Sequence, residues 1–243
     1  MEAAAATEEA AADAAAVEEA LGVLREAGRR FPGEELGLAF NGGKDCAVAL
    51  ELLCEALGGA ALAGLLVVHI EEPDEFEEVR AFVEEARGRH GLARLERVPG
   101  PLREGLWELH RRHPRLRACV TGRRSTDPHA EREAHFTEAS GGWPPLVRVA
   151  PILRWSYAQV LLFSLSLSLS LSLPLLTGQV WRFILARGVP VCSLYAAGYT
   201  SLGPRRATVP NPRLRLPDGS YLPAHLLPDP ADERLSRSEA HDK

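Results

Sequence analysis

The sequence lacks closely spaced cysteines and any N-terminal pattern that would direct the chain out of the cytosol. Its four cysteines lie far apart, with no Cys-x-x-Cys pair, so neither a disulfide framework nor a structural zinc site is indicated. No arginine precedes Arg25, and the first thirty residues are rich in alanine and glutamate, unlike an organelle transit peptide or a secretory signal. We therefore expect a cytoplasmic protein in a reducing compartment.

An extended basic stretch is also missing. The 243-residue chain carries a net charge of −5, and a quarter of its residues are charged. One cluster of four arginines, between residues 111 and 117, is typical of a solvated helix face. The uncharged stretch from Ser156 to Trp181 is interrupted by Pro174 and diluted by serines, which disfavours a transmembrane helix. We predict that neither nucleic acid nor a membrane is a partner.

Predicted strands and helices alternate along the chain. The strands are expected at residues 36–40, 62–70, 93–98 and 117–121, and the helices at 47–57, 75–90 and 101–113. A lead helix is expected from Val17, whereas residues 1–16 are expected to be frayed. The alternation predicts an α/β fold with three layers, in which helices cover both faces of a mostly parallel sheet. Ligands of such sheets bind at the carboxyl ends of the strands.

The turn between the first strand and its helix has the composition of a phosphate-binding site. It reads Asn41, Gly42, Gly43, Lys44, Asp45. Paired glycines let backbone amides converge on an anion at the positive end of the following helix, and a lysine offsets phosphate charge. The glycine spacing differs from that of the P-loop and of the dinucleotide fingerprint. Taken alone, the motif is equally consistent with a surface turn that caps a helix.

Five motifs occur in a fixed order, and together they indicate a family. The first is the turn at residues 41–45, similar to the pyrophosphatase loop of the adenine nucleotide alpha-hydrolase superfamily, and the second is Gly-Arg-Arg-Ser-Thr-Asp-Pro at 122–128. The others are Trp-Pro at 143–144, Pro-Ile-Leu-Arg-Trp at 151–155 and Gly-Tyr-Thr-Ser-Leu-Gly at 198–203. In this order they resemble the FMN adenylyltransferase domain of eukaryotic FAD synthases, a family related to PAPS reductases.

The resemblance implies an activity, ligands and site residues. The implied enzyme transfers AMP from ATP to the phosphate of FMN, giving FAD and pyrophosphate, with Mg2+ shared with substrate phosphates; apo-flavoproteins that receive FAD are candidate partners. The residues implied to be catalytic are Asp45, Asp127, Arg124 and Arg205, with Asp127 also the metal ligand. Those implied to bind ATP or FMN are Asn41, Gly42, Gly43, Lys44, Gly122, Thr126, Trp143 and Trp155. For the two tryptophans the hydrophobic core is the favoured place, and the walls of a flavin pocket are the alternative.

The resemblance also defines the expected domains. Residues 1–30 are an N-terminal extension and lead helix, residues 31–237 are the FMN adenylyltransferase domain, and residues 238–243 are a tail. Residues 160–179 form a low-complexity Leu/Ser insertion, and their removal would restore a continuous helix that the family has there. A Gln-Val pair flanks the insertion on both sides, so it resembles a retained intron translated in frame.

Two alternative functions remain open at this point. If the insertion disables the site, the chain is an inactive or regulatory isoform. Another enzyme of the loop superfamily, such as a PAPS reductase, would need a reactive C-terminal cysteine that is not evident in the sequence. The loop at residues 129–132 and Ala207 also depart from the family, which often has an aromatic residue in this loop and an asparagine at position 207. These departures affect positions expected to contact the substrates, whereas the central residues of the family motifs are retained.

Overall fold

The computed structural model describes residues 2–130, 132–155 and 178–237. Most of the predicted insertion, residues 160–177, lies outside the described residues, and so does the predicted tail, residues 238–243. The proposed division of the chain into an extension, a domain and a tail stays a prediction.

Six strands form one sheet in the order β3-β2-β1-β4-β6-β5. All neighbouring strands are parallel except β5 and β6, which are antiparallel. The strands are β1 (Leu36–Ala39), β2 (Leu66–Glu71), β3 (Leu95–Pro99), β4 (Ala118–Val120), β5 (Phe136–Glu138) and β6 (Val147–Val149). The chain order reverses at β1, which lies between β2 and β4, and such a switch point opens a crevice at the carboxyl ends of the strands. The predicted mostly parallel sheet is confirmed.

Helices pack on both faces of the sheet, as the alternation predicts. They are α1 (Glu2–Arg30), α2 (Lys44–Leu57), α3 (Gly59–Gly64), α4 (Glu77–His90), α5 (Leu102–Arg112) and α6 (Gln179–Arg187). Val67 of β2 faces the larger core, which contains residues of α1, α2, α4 and α6. Its neighbours Leu66 and Val68 face a smaller core with Leu109 of α5, because successive strand residues point to opposite faces. Five short 3-10 helices lie between residues 193 and 236.

Two predicted elements differ from the structure. The strand predicted at 62–70 begins only at Leu66, because residues 59–64 form α3; a short apolar run fits a buried helix as well as a buried strand. Residues 2–16, predicted to be frayed, belong to α1. Alanine favours the helical state, and Asp13 accepts two hydrogen bonds from Arg182 of α6, at 2.7 and 2.8 Å. Within the described part of the chain, no helix combines the length and apolar character that crossing a bilayer requires.

Candidate functional site

The turn between β1 and α2 is a tight, glycine-containing turn at the start of a helix. Asn41 Oδ1 accepts a hydrogen bond from the amide of Gly43 at 2.9 Å, which fixes the turn. Gly42 has φ +72°, and a Cβ atom there would lie 2.8 Å from Cγ1 of Val79, so this position requires glycine. Helix α2 begins at Lys44, and its positive end therefore points at the crevice.

The turn after β4 packs directly against the start of α2. Leu38 of β1 pairs with Val120 of β4, so the turns that follow these strands lie side by side. A Cβ atom on Gly122 would lie 2.5 Å from both the carbonyl carbon of Asp45 and the amide nitrogen of Cys46. The two predicted turns are thus in backbone contact, and Gly122 is the residue that permits it.

We expect Gly122→Ala to destabilise the fold by about 3 kcal/mol, because the new methyl group would overlap backbone atoms that cannot rotate away. Gly22→Ala is the matched control, since an added Cβ on this α1 residue meets no heavy atom within 4 Å. Alanine at that position should stabilise the helix by about 1 kcal/mol. Urea unfolding of both variants measures the difference, and equal midpoints for Gly122→Ala and the wild type would contradict the packing argument.

Four charged side chains meet at this junction, and we call them the charged cluster: Lys44, Asp45, Arg124 and Glu233. Lys44 Nζ donates to Asp45 Oδ2 at 3.1 Å and also to Glu233. Arg124 Nη2 donates to both carboxylate oxygens of Glu233 at 2.8 Å, and its Nε lies 3.0 Å from Asp45 Oδ1. Lys44 and Arg124 are each only 2% exposed.

Opposite charges keep Lys44, Arg124 and Asp45 ionised. Burial by itself would lower the pKa of Lys44, but Asp45 and Glu233 outweigh it and raise that pKa above its usual value. The pKa of Arg124 is raised against burial by the same two carboxylates. Burial would raise the pKa of Asp45, but Arg124 and Lys44 together hold it below its usual range. The cluster therefore pairs two basic side chains with two acidic ones.

Two residues of the 193–203 region brace the cluster. Tyr195 Oη accepts a hydrogen bond from the amide of Lys44 at 2.9 Å, and burial raises the pKa of Tyr195, so the hydroxyl stays protonated. Thr200 Oγ1 donates to the carbonyl oxygen of Glu233 at 2.6 Å. Asn211 Nδ2 donates to Thr200 Oγ1 and to the Asp232 carbonyl, both at 2.8 Å. These bonds tie the Gly198–Gly203 motif to the C-terminal 3-10 helix Pro230–Ser236.

The remaining sequence-predicted residues lie in the turn after β4 or contact the loop after β2. Asp127 Oδ2 accepts a hydrogen bond from the amide of Arg124 at 2.9 Å, and exposed Thr126 lies in the same turn. Exposed Arg205 donates its amide to the carbonyl of Asp74 at 2.8 Å, on the loop between β2 and α4. These residues therefore belong to, or face, the edge of the sheet at which the cluster lies.

The two tryptophans are not brought into the charged cluster. Trp155 is buried and contacts Phe183 edge to face, with ring centroids 5.4 Å apart. Trp143 is 37% exposed and precedes β6, so it lies towards the amino end of a strand parallel to β4. Its turn is attached to α5, because Trp107 Nε1 donates to the Gly142 carbonyl at 3.0 Å. Their assignment to a flavin pocket stays a prediction.

Sequence reasoning missed Glu233 and Tyr195. Glu233 lies 189 residues after Lys44, within a segment rich in charge and proline that is typical of a solvated surface. Tyr195 precedes the Gly198–Gly203 motif by three residues and would have been included by a wider reading of that motif. No local pattern marks Glu233.

Comparisons with known proteins identify the family of the chain. The family model for the phosphoadenosine phosphosulfate reductase domain matches residues 35–172 and 173–210. A probable FAD synthase from Schizosaccharomyces pombe is 35% identical over 213 residues, which cover 84% of this chain and 72% of that protein. The chain belongs to the FAD synthase family.

Members of the FAD synthase family differ in length. A probable FAD synthase from Caenorhabditis briggsae is 36% identical over 230 residues, which cover 91% of this chain but 40% of that protein. The crystal structure of Candida glabrata FMN adenylyltransferase in complex with FAD and inorganic pyrophosphate has a TM-score of 0.79 and 25% identity to this chain. That match covers 93% of this chain and 90% of the Candida chain, so the fold is shared almost throughout.

Proposed function

We propose that this chain is an FAD synthase that transfers AMP from ATP to the phosphate of FMN, giving FAD and pyrophosphate. The observation that carries the proposal is the pair of buried cations, Lys44 and Arg124, at the start of α2. They lie at the switch point of the sheet, where α/β folds bind ligands. Membership of the FAD synthase family and the likeness to an FMN adenylyltransferase that binds FAD and pyrophosphate support it.

The proposed chemistry requires alignment and charge stabilisation. The phosphate of FMN is already anionic at neutral pH, so it attacks the α-phosphorus of ATP without a strong general base. The leaving pyrophosphate develops negative charge, which the positive end of α2 and the cations Lys44 and Arg124 would stabilise. Arg205 is exposed near the same edge, where its guanidinium would bind a phosphate by paired hydrogen bonds. No covalent intermediate with the protein is required.

The proposed Mg2+ fits one carboxylate better than the other. Both oxygens of Asp45 face cations, Lys44 Nζ at 3.1 Å and Arg124 Nε at 3.0 Å. Asp127 uses one oxygen for the Arg124 amide, and its other oxygen suits a hard cation. Mg2+ in nucleotide sites needs only one or two carboxylates beside substrate phosphates, where it neutralises phosphate charge. Among the described residues, no group of three or more His, Cys, Asp or Glu side chains could hold a metal ion. Asp127 is the proposed ligand, beside the substrate phosphates.

The proposal extends to location and partners. We place the enzyme in the cytoplasm, on the composition of its first thirty residues. Its proposed partners are ATP and FMN, with apo-flavoproteins as recipients of the product, and neither nucleic acid nor a membrane is proposed.

The test is FAD formation from FMN and ATP, with the full chain compared with a chain from which residues 160–179 are deleted. We expect FAD and pyrophosphate in equal amounts, and we expect chelation of Mg2+ to stop the reaction. Chromatographic separation of FMN and FAD measures the product. If neither chain forms FAD, the proposed function is wrong. If only the shortened chain is active, the family chemistry is retained and the insertion makes the longer chain an inactive isoform.

A further inference from the structure

We infer that Glu233 is a positioning residue of this site: its carboxylate fixes the ends of Lys44 and Arg124 in one arrangement and weakens their hold on phosphate in the ground state. The inference rests on the proposed function, because it concerns the same two cations. Glu233 is distant in sequence from both, and it contributes a negative charge where an anionic substrate is expected.

Hydrogen bonds to the backbone around Glu233 fix the position of this residue. It is 8% exposed and lies in the 3-10 helix Pro230–Ser236. Its carbonyl accepts the 2.6 Å hydrogen bond from Thr200, and the Ser236 carbonyl accepts one from the amide of Val209 at 2.9 Å. The Asp229 side chain caps the start of the helix by accepting from the amide of Ala231 at 2.9 Å. The carboxylate is therefore part of the fixed frame and is unlike a mobile surface glutamate.

The contact of Glu233 with Arg124 orients the guanidinium group. Two carboxylate oxygens each lie 2.8 Å from Nη2, and the same carboxylate also accepts from Lys44 Nζ. Arg124 Nε also lies 3.0 Å from Asp45 Oδ1. The guanidinium is therefore held at two of its nitrogens, which fixes its plane and the directions of its N–H groups. Positioned donors favour a transition state more than a ground state, because they need no reorganisation when charge develops.

The negative charge of Glu233 has a second effect. Asp45 already balances one of the two cations, and Glu233 brings the cluster to neutrality. A phosphate group that approaches Lys44 and Arg124 therefore meets a like charge within the same cluster. Weak ground-state binding combined with fixed donors raises turnover, since binding that is equally strong in both states does not accelerate the chemical step.

The experiment uses Glu233→Gln and Glu233→Asp in the full chain, with Asp232→Asn as the matched control. Asp232 is the preceding residue, and its carboxylate pairs with Arg213 at 2.8 Å, outside the charged cluster. For each protein, kcat and KM for ATP are measured, and the Kd of inorganic pyrophosphate is measured by calorimetry. Circular dichroism establishes that each variant is folded.

We expect Glu233→Gln to lower kcat about thirtyfold, because the two cations lose their fixed arrangement. Its Kd for pyrophosphate should fall about fivefold, because a like charge has been removed. Glu233→Asp keeps the charge and shortens the reach, so kcat should fall about tenfold while the pyrophosphate Kd stays within about twofold of wild type. Asp232→Asn should leave both quantities within about twofold.

Three results would overturn the inference. The first is a kcat of Glu233→Gln close to the wild-type value. The second is a fall in kcat without tighter pyrophosphate binding, because loss of folded protein alone gives that pattern. The third applies if Glu233→Gln does not fold: wild-type kcat in Glu233→Asp then decides against a positioning role. Absence of FAD formation by the wild type would instead refute the proposed function, and the pyrophosphate measurements would still test Glu233.

Discussion

Replacement of Arg124 with methionine is expected to lower FAD formation about a thousandfold, because one positioned cation is lost from the transition state. The same change should lower the free energy of unfolding by about 3 to 5 kcal/mol, since it leaves Glu233 and Asp45 with Lys44 as their remaining partner in the cluster. Arg124 is 2% exposed, so water does not replace the missing guanidinium. Initial rates of FAD formation and urea unfolding measure the two effects.

Two further variants separate activity from folding. Arg124→Lys keeps the positive charge but not the forked donor, so it should fold and still lose about a hundredfold in rate. Arg123→Gln is the matched control, because Arg123 is adjacent but pairs with Glu133 at 3.1 Å and donates to the Pro128 carbonyl. It should cost about 1 to 3 kcal/mol of stability and leave the rate nearly unchanged. Wild-type activity in Arg124→Lys would show that the fork geometry is not needed.

The sequence predicts those parts of the site that lie in local motifs directly after neighbouring strands. Residues 41–45 follow β1 and residues 122–128 follow β4, and the pairing of Leu38 with Val120 brings both turns to the same edge. Alternating strands and helices predict a parallel sheet, and in a parallel sheet such turns converge. Both motifs contain a glycine that the structure requires: Gly42 has a positive φ of +72°, and at Gly122 a Cβ atom would collide with the backbone of α2.

The parts that the sequence does not predict depend on distant contacts or on ambiguous local signals. Glu233 reaches the cluster through a 3-10 helix whose position is set by Thr200 and Asn211, and no periodicity encodes such contacts. The apolar run at 59–66 fits a helix and a strand equally well, and α3 occupies most of it. The presence of Trp143 in a family motif also does not predict where its side chain lies. Contacts with Trp107 and Arg103 of α5 fix the turn that carries it.

A chain of contacts connects the residues after the predicted insertion to the phosphate-binding turn. Trp181 of α6 packs edge to face on Tyr195, with ring centroids 5.5 Å apart. Tyr195 in turn accepts the hydrogen bond from the amide of Lys44, the first residue of α2. Because both aromatic residues are buried, a displacement of α6 would be transmitted to the start of α2. The comparison of the full and shortened chains therefore also tests this connection.

Exchange of Asp127 for asparagine is expected to lower kcat about a hundredfold or more while the fold is retained, because it removes a charge proposed to hold Mg2+. Asparagine Oδ1 can still accept the hydrogen bond that Asp127 Oδ2 accepts from the amide of Arg124 at 2.9 Å. The free energy of unfolding should therefore change by about 0.5 kcal/mol or less. A rise in the Mg2+ concentration that gives half-maximal rate is the specific sign of a lost metal ligand.

Asp74→Asn is the matched control for this change. Asp74 Oδ2 also accepts a backbone hydrogen bond, from the amide of Arg206 at 2.7 Å, so the two substitutions alter local structure in the same way. Asp74 lies on the loop after β2, and its carboxylate pairs with Arg206 at 3.7 Å, outside the charged cluster. Its loss of charge should therefore leave the Mg2+ dependence unchanged. If Asp127→Asn and Asp74→Asn give the same rates at every Mg2+ concentration, Asp127 is not the metal ligand. In that case the charge that organises the phosphates comes from elsewhere, and the cations of the cluster carry more of the proposed chemistry.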